Sequence, residues 1–111
     1  MSETFLYLTT RGRKTGLPRR IEIWFVESEG KHYVVAEMRH EAGWVKNIER
    51  DGRVSFSVGA RAARESALPN TTARARAIER ADEPDLVARV SALMNEKYGW
   101  SDGLVVEITP D

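Results

Sequence analysis

The chain has 111 residues, and its 17 basic residues balance 17 acidic residues, so the formal net charge is zero. This length predicts one domain over residues 1–111, and the balanced charge argues against a general nucleic-acid-binding protein. The sequence contains no Cys, which excludes disulfides and thiolate metal sites, and no apolar run reaches transmembrane length. Its start, MSETFLYLTT, lacks the features of a signal peptide, so we expect a cytoplasmic protein without a membrane segment.

The first predicted elements are a strand and a basic loop. Thr4–Thr10 is aromatic and β-branched without Gly or Pro, which predicts a strand. Arg11–Arg20 contains five basic residues, no acidic residue, and the Gly and Pro residues typical of a loop. Hydroxyls, backbone N–H groups and several cations in one loop suit a phosphate or a polycarboxylate. Composition alone leaves a solvated basic hairpin open as the alternative.

The second predicted strand is continuous over Arg19–Glu27 and alternates in polarity. Ile21, Ile23 and Phe25 fall on one face, and Trp24 falls among polar residues on the other. Such an aromatic side chain either packs against another element or stacks on a ligand.

A hairpin turn at Ser28–Gly30, a strand over Lys31–Glu37 and a short helix within Glu41–Arg50 are predicted next. His32 and His40 are expected to be solvated, because no carboxylate cluster at metal spacing accompanies them. The sequence therefore predicts no metal site.

The rest of the chain predicts more strands and a longer helix. The predicted strands cover Arg53–Val58, Thr72–Arg80 and Leu104–Thr109. Gly59–Asn70 is weakly patterned and ends in a turn predicted at Leu68–Asn70. A helix capped by Asp82 is predicted to extend through Tyr98.

This order of elements predicts a mainly β fold of the α+β type. Six or seven short strands, joined largely by hairpins, and two helices are typical of an antiparallel barrel with a helix packed on it. A barrel of this size has a small core and leaves an apolar face exposed, which favours a homodimer.

Two motifs resemble those of the deazaflavin-dependent nitroreductase and quinone-reductase family, whose members use coenzyme F420. TTRGRKTGLPR at Thr9–Arg19 matches the family pattern T-T-x-G-R-K-[ST]-G-x-P-R, and WVKNI at Trp44–Ile48 resembles its W-x-x-N helix. The ending KYGWSDGLVVEITP also looks like the family's closing helix and strand. The resemblance covers nearly the whole chain and implies a split antiparallel β-barrel, related to the pyridoxamine-phosphate-oxidase-like flavoproteins.

The resemblance also implies a cofactor site. The residues implied to contact the cofactor's phosphate, its oligoglutamate tail or its ring are Arg13, Lys14, Thr15, Arg19, Trp24, Trp44 and Asn47. The loop before the second motif is shorter than is usual in the family, and Arg39 within it is expected to substitute as a phosphate partner. Tyr98 and Trp100 fall where the family's substrate-side aromatics cluster, and Tyr98 is the candidate proton donor.

The implied activity is hydride transfer between F420 and a small redox acceptor such as a quinone, a nitroaromatic or an activated double bond. The sequence offers no catalytic triad or carboxylate pair, which fits a carrier that needs only to be held and oriented. Three alternatives stay open: an FMN enzyme on the same barrel, a carrier of a deazaflavin, haem or fatty acid without turnover, and a small nucleic-acid-binding barrel. The last has little support, because no strand interleaves aromatic and basic residues on one face.

Overall fold

The computed structural model describes residues 4–60 and 70–111. The strands within these residues are β1 (Thr4–Arg11), β2 (Pro18–Ile23), β3 (Phe25–Ser28), β4 (Lys31–Ala36), β5 (Arg53–Ala60), β6 (Thr71–Ile78) and β7 (Leu104–Pro110). The helices are α1 (Gly43–Arg50) and α2 (Pro84–Tyr98), and a 3₁₀ turn precedes α1 at Arg39–Glu41. Neither α1 nor α2 has the length and apolar character that crossing a membrane requires. The turn predicted at Leu68–Asn70 lies outside the described residues except for Asn70.

The strands form one antiparallel sheet in the order β2-β1-β5-β6-β7-β4-β3. Its two edge strands, β2 and β3, are separated along the chain only by Trp24. The sheet must therefore curl until its edges lie side by side. This arrangement confirms the predicted split antiparallel barrel with two helices.

The prediction of a single strand over Arg19–Glu27 is wrong, because the strand is interrupted at Trp24. Residues up to Ile23 pair with β1, whereas residues from Phe25 onward pair with β4. The predicted alternation is confirmed across the break, since Ile21, Ile23 and Phe25 contact the same apolar cluster. A polarity pattern of period two reports the face of each residue and carries no information about a change of partner strand.

The interior of the curled sheet holds one apolar cluster. Leu6 and Leu8 of β1 contribute to it, and α1 adds the buried side chains of Val45 and Ile48. The apolar spacing that predicted this helix is thus the face that packs on the barrel.

A second cluster lies between the other face of the sheet and α2. Val87, Val90 and Met94 of α2 are buried there with Tyr33 and Val105 of the sheet. Because α2 covers this face, β4 and β7 are buried on both sides.

The start of α2 differs from the prediction. Glu83 occupies the N-cap position in place of Asp82, and no side chain caps the helix. The Glu83 carboxylate accepts hydrogen bonds from Arg76 at 2.7 and 3.2 Å instead. An ion pair with the sheet therefore takes the place of the predicted local cap.

The two histidines differ in exposure. The side chain of His32 is only 15% exposed, its Nε2 lies 2.9 Å from a Glu27 oxygen, and its ring contacts those of Phe25 and Phe56. The expectation that His32 is solvated is therefore wrong, because the ring packs into the barrel. His40 is exposed as expected.

A buried carboxylate links β4, β6 and β7. Glu107 is 4% exposed and accepts hydrogen bonds from the Tyr33 hydroxyl and from Arg76 Nε, both at 2.9 Å. Burial raises the pKa of Glu107, but the hydrogen bonds from Arg76 and Tyr33 outweigh burial and hold that pKa below its ordinary value. Burial, with the bond to Glu107, raises the pKa of Tyr33 to about 12.

Replacing Glu107 by Gln should lower the free energy of unfolding at neutral pH by about 1–3 kcal/mol, because Arg76 and Tyr33 lose a charged acceptor. The folded-state pKa of Glu107 lies below its unfolded value. Its contribution is therefore present above the unfolded pKa and is lost as the pH falls through the folded one. Urea denaturation of both proteins at neutral and acid pH measures the difference, which should shrink on acidification. A difference that does not change with pH would contradict a role for this charge.

Candidate functional site

The basic loop between β1 and β2 is a tight turn closed by its own backbone. Gly12 N donates to the Leu17 carbonyl and Gly16 N donates to the Gly12 carbonyl, each at 2.8 Å. Gly16 has a φ of 74°, and a Cβ on Gly12 would lie 3.0 Å from the Leu17 oxygen. Glycine at these two positions lets the loop fold back on itself, and Lys14 and Thr15 between them are exposed.

Asn47 of α1 fastens this loop to the helix. Its Oδ1 accepts hydrogen bonds from the Arg13 backbone N at 3.1 Å and from Arg13 Nη1 at 3.0 Å. Its Nδ2 donates to Thr10 Oγ1 at 3.1 Å, and Arg13 Nη1 also donates to the Gly43 carbonyl at 3.3 Å. The Asn47 side chain is buried, at 5% exposure, and both of its polar atoms bind protein groups.

A hollow of about 380 Å³ lies between the loop and α1; we name it the anion hollow. Its lining consists of Gly12, Arg13, Lys14, Thr15, Arg19, Ile21, Gly43, Trp44 and Asn47. Arg13, Lys14 and Arg19 form no ion pair with any described carboxylate, and the N–H groups of Lys14 and Thr15 have no partner among the described residues. Positive charge without a counter-ion beside unpaired N–H groups suits a phosphate or carboxylate.

A larger, mainly apolar space of about 580 Å³ also has Trp44 in its lining; we name it the aromatic cavity. It is lined by Phe5, Glu22, Ile23, Trp24, Val35, Ala36, Glu37, Met38, Ala42, Trp44 and Trp100. All three Trp residues of the chain line it, and Trp44 also lines the anion hollow. Within the described residues, His, Asp and Glu form no group of three that could hold a metal ion.

The C-terminal end of α2 holds Trp24 in place. The Trp24 and Tyr98 rings stack with centroids 4.5 Å apart and an interplanar angle of 1°, and Trp100 meets Trp24 at 70°. The Tyr98 hydroxyl accepts from Phe25 N at 3.2 Å and donates to Phe25 O at 3.0 Å. Lys97 Nζ donates to the same oxygen at 2.8 Å. Helix α2 therefore fixes the backbone at the strand break and one face of the Trp24 ring.

The structure brings together most of the residues implied for the site, with two exceptions. Trp100 lines the aromatic cavity, but Tyr98 does not, and its hydroxyl is bonded to the Phe25 backbone. Tyr98 is thus a positioning residue for Trp24. Arg39 lines neither space, because its Nη2 lies 2.8 Å from the exposed Asp102 carboxylate.

Sequence reasoning missed several residues of the aromatic cavity. Glu22, Glu37, Met38 and Ala42 line it but were not expected there. Glu22 shares a predicted strand face with Trp24, which was a signal for its position. The others lie between a strand and a helix, where periodicity gives no direction.

Solved structures share the curled sheet. HutZ, a haem storage protein from Vibrio cholerae, has a TM-score of 0.77 at 22% identity, with 96% of this chain and 81% of that chain covered. An FAD-binding protein from Mesorhizobium loti has a TM-score of 0.72 at 11% identity, covering 98% and 82%. A candidate pyridoxamine 5'-phosphate oxidase from Listeria innocua has a TM-score of 0.70 at 17% identity, covering 96% and 83%. These likenesses define the class of fold, a split β-barrel.

The sequence narrows this class to one family. The sequence model of the F420H(2)-dependent quinone reductase family matches residues 1–98. This match spans most of the chain, so the chain belongs to the F420H(2)-dependent quinone reductase family, a family of oxidoreductases. The resemblance read from the two motifs is thereby confirmed. A search of curated protein sequences finds no significant match.

Replacing Asn47 by Ala should lower the free energy of unfolding by about 1–3 kcal/mol, because it leaves the Arg13 backbone N–H and the Thr10 hydroxyl without a partner. Asn95 is an exposed residue of α2, so Asn95→Ala is the matched control and should change stability by less than about 0.5 kcal/mol. Urea denaturation measures both. Equal effects at the two positions would contradict the fastening role of Asn47.

Tyr98→Phe keeps the ring that stacks on Trp24 and removes both hydrogen bonds to Phe25. We expect a loss of about 1–2 kcal/mol in the free energy of unfolding, with little change in tryptophan emission. Tyr98→Ala should destabilise further and shift the emission to the red, because it also exposes the Trp24 face. Thermal denaturation and fluorescence spectra test both variants. A Phe variant as stable as the original protein would show that the backbone contact is dispensable.

Proposed function

We propose that this protein binds coenzyme F420 across the anion hollow and the aromatic cavity and carries out hydride transfer to a small acceptor such as a quinone, a nitroaromatic or an activated double bond. The supporting observation is that three cations without carboxylate partners surround a hollow that shares Trp44 with a cavity lined by tryptophans. A molecule with an anionic tail at one end and a flat ring at the other matches two such adjoining surfaces. Membership of the family supports the same cofactor.

The side chains present fit this cofactor. The Lys14 ammonium and the Arg19 guanidinium suit phosphate and carboxylate oxygens, and the unpaired N–H groups of Lys14 and Thr15 add donors in the same place. Trp24 and Trp44 offer flat apolar surface for a ring. Reduced F420 supplies a hydride when bound, and the acceptor takes up this hydride together with a proton from solvent.

The protein's own contribution is binding and orientation. Asn47 holds the backbone and one guanidinium nitrogen of Arg13 before any ligand arrives, which reduces the ordering that binding would otherwise require. Tyr98 fixes Trp24, so the wall of the aromatic cavity is set in advance. Holding a donor and an acceptor in a reactive geometry can lower a barrier by up to about 7–11 kcal/mol.

Lys14→Ala combined with Arg19→Ala should weaken F420 binding by about ten- to a hundredfold, because two charge-assisted contacts are lost. These two side chains are exposed. Arg13 is left unchanged because it also binds Asn47, so its replacement would alter the loop as well as the charge. Titration followed by cofactor fluorescence gives the affinity, and circular dichroism confirms the fold.

The matched control is Arg80→Ala with Arg89→Ala. It removes the same charge from residues that line neither space, so the affinity should stay within about twofold, as screened distant charges contribute little. Unchanged affinity in the Lys14 and Arg19 variant would contradict anchoring by the basic loop.

The same titration, repeated with FMN, distinguishes F420 from FMN as the preferred cofactor. FMN has a phosphate but no oligoglutamate tail, so fewer anionic groups would meet Lys14 and Arg19, and we expect F420 to bind more tightly.

A turnover assay distinguishes an enzyme from a carrier that only binds F420. The assay follows, by absorbance, the oxidation of bound reduced F420 by an added naphthoquinone. Tight binding without oxidation across quinone, nitroaromatic and enone acceptors would favour the carrier.

A further inference from the structure

The aromatic cavity and the anion hollow carry opposite charge. Two acidic residues, Glu22 and Glu37, line the cavity, and no described residue that lines it is basic. The Glu22 carboxylate accepts a hydrogen bond from the Tyr7 hydroxyl at 3.0 Å. The Glu37 carboxylate is exposed and forms no hydrogen bond or ion pair with the described residues. The cavity therefore has one unneutralised negative charge in its wall.

Glu37 is placed to act on a molecule in this cavity. It directly follows the last residue of β4, and its neighbours Ala36 and Met38 line the same space. Met38 is 65% exposed, so this part of the wall is open to solvent. A carboxylate at an open rim acts over several ångströms on charges that approach it, and salt weakens this effect.

The tryptophans of the cavity favour the same sign of charge. Trp24 and Trp100 meet at 70° with centroids 6.4 Å apart, so their rings form two walls of a corner. The faces of indole rings attract cations through the ring quadrupole. An acidic residue and aromatic faces in the lining of one cavity thus both favour positive charge there.

We propose that Glu37 makes the aromatic cavity select flat acceptors that carry positive charge over anionic acceptors of the same shape. The inference rests on the proposed function to the extent that the acceptor enters this cavity. Glu37 is then a specificity-determining residue, and the favoured substrates are cationic aromatic acceptors. The same charge would keep the anionic end of a long ligand out of the cavity and direct that end to the anion hollow.

Three matched probes test the proposal on the cofactor-free protein: an uncharged naphthoquinone, its sulfonate and a derivative bearing a trimethylammonium group. Trp24 and Trp100 line the cavity and not the anion hollow, whereas Trp44 lines both. Quenching of tryptophan fluorescence in a common Trp44→Phe background therefore reports binding in the cavity without any turnover. At low salt we expect the cationic probe to bind at least about tenfold more tightly than the anionic one, with the uncharged probe between them.

Glu37→Gln should reduce the ratio of cationic to anionic affinity to about threefold or less, since it removes the charge and keeps the size of the side chain. Glu96 is an exposed residue of α2 that does not line the cavity. Glu96→Gln therefore makes the same change in net charge and should leave the ratio as it is. Added salt should lower the ratio in the original protein and have little effect on the Glu37 variant.

Equal affinity for the three probes, an unchanged ratio in the Glu37 variant, or an equal loss in the Glu96 variant would each overturn the proposal. Failure of all three probes to bind would overturn it as well. F420 affinity, measured separately from cofactor fluorescence, distinguishes these results from failure of the proposed function, since the cofactor's anionic end is assigned to the anion hollow and not to Glu37.

Discussion

The buried amide of Asn47 is the contact on which the arrangement of the site depends. Its Oδ1 accepts hydrogen bonds from both the backbone N–H and a guanidinium nitrogen of Arg13. Its Nδ2 donates a hydrogen bond to the buried hydroxyl of Thr10. A short side chain of α1 thereby sets the distance between the basic loop and the helix that carries Trp44. The anion hollow is the space left between these two elements, so its shape follows from three hydrogen bonds.

The interruption between β2 and β3 at Trp24 sets the position of one wall of the aromatic cavity. One residue joins the two edges of the curled sheet, and its backbone neighbour Phe25 is bonded by Tyr98 and Lys97. A strand that continued through this position would have placed Trp24 in a regular ladder against one partner strand. The change of partner instead leaves the indole to stack on Tyr98 and to line the cavity, so the residue between the two edge strands also forms a wall of the site.

Much of this architecture could be predicted from the sequence, because alternation and helical spacing reveal which faces are buried. The basic loop and the helix of Trp44 were predicted from residue types and motifs, and they do lie together. The strand break and the direction of Arg39 toward Asp102 could not be predicted, since each depends on residues distant in the chain. The ion pair of Glu83 with Arg76 spans seven residues, but it depends on where the start of α2 lies against β6. The homodimer and the cytoplasmic location stay predictions.

The zero net charge of the chain gives no indication of the most informative property of the site, which is its separation of charge. A chain with zero net charge places cations without counter-ions around one space and an unpaired carboxylate beside the next, with Trp44 lining both. Mixing these residues would give ion pairs and a surface with no preference for orientation. Kept apart, they give two spaces of opposite charge that share Trp44, and a ligand that is anionic at one end and aromatic at the other would have one favourable direction across them. For the hydride transfer that we propose, such an orientation would turn the reacting carbon toward the acceptor and away from solvent.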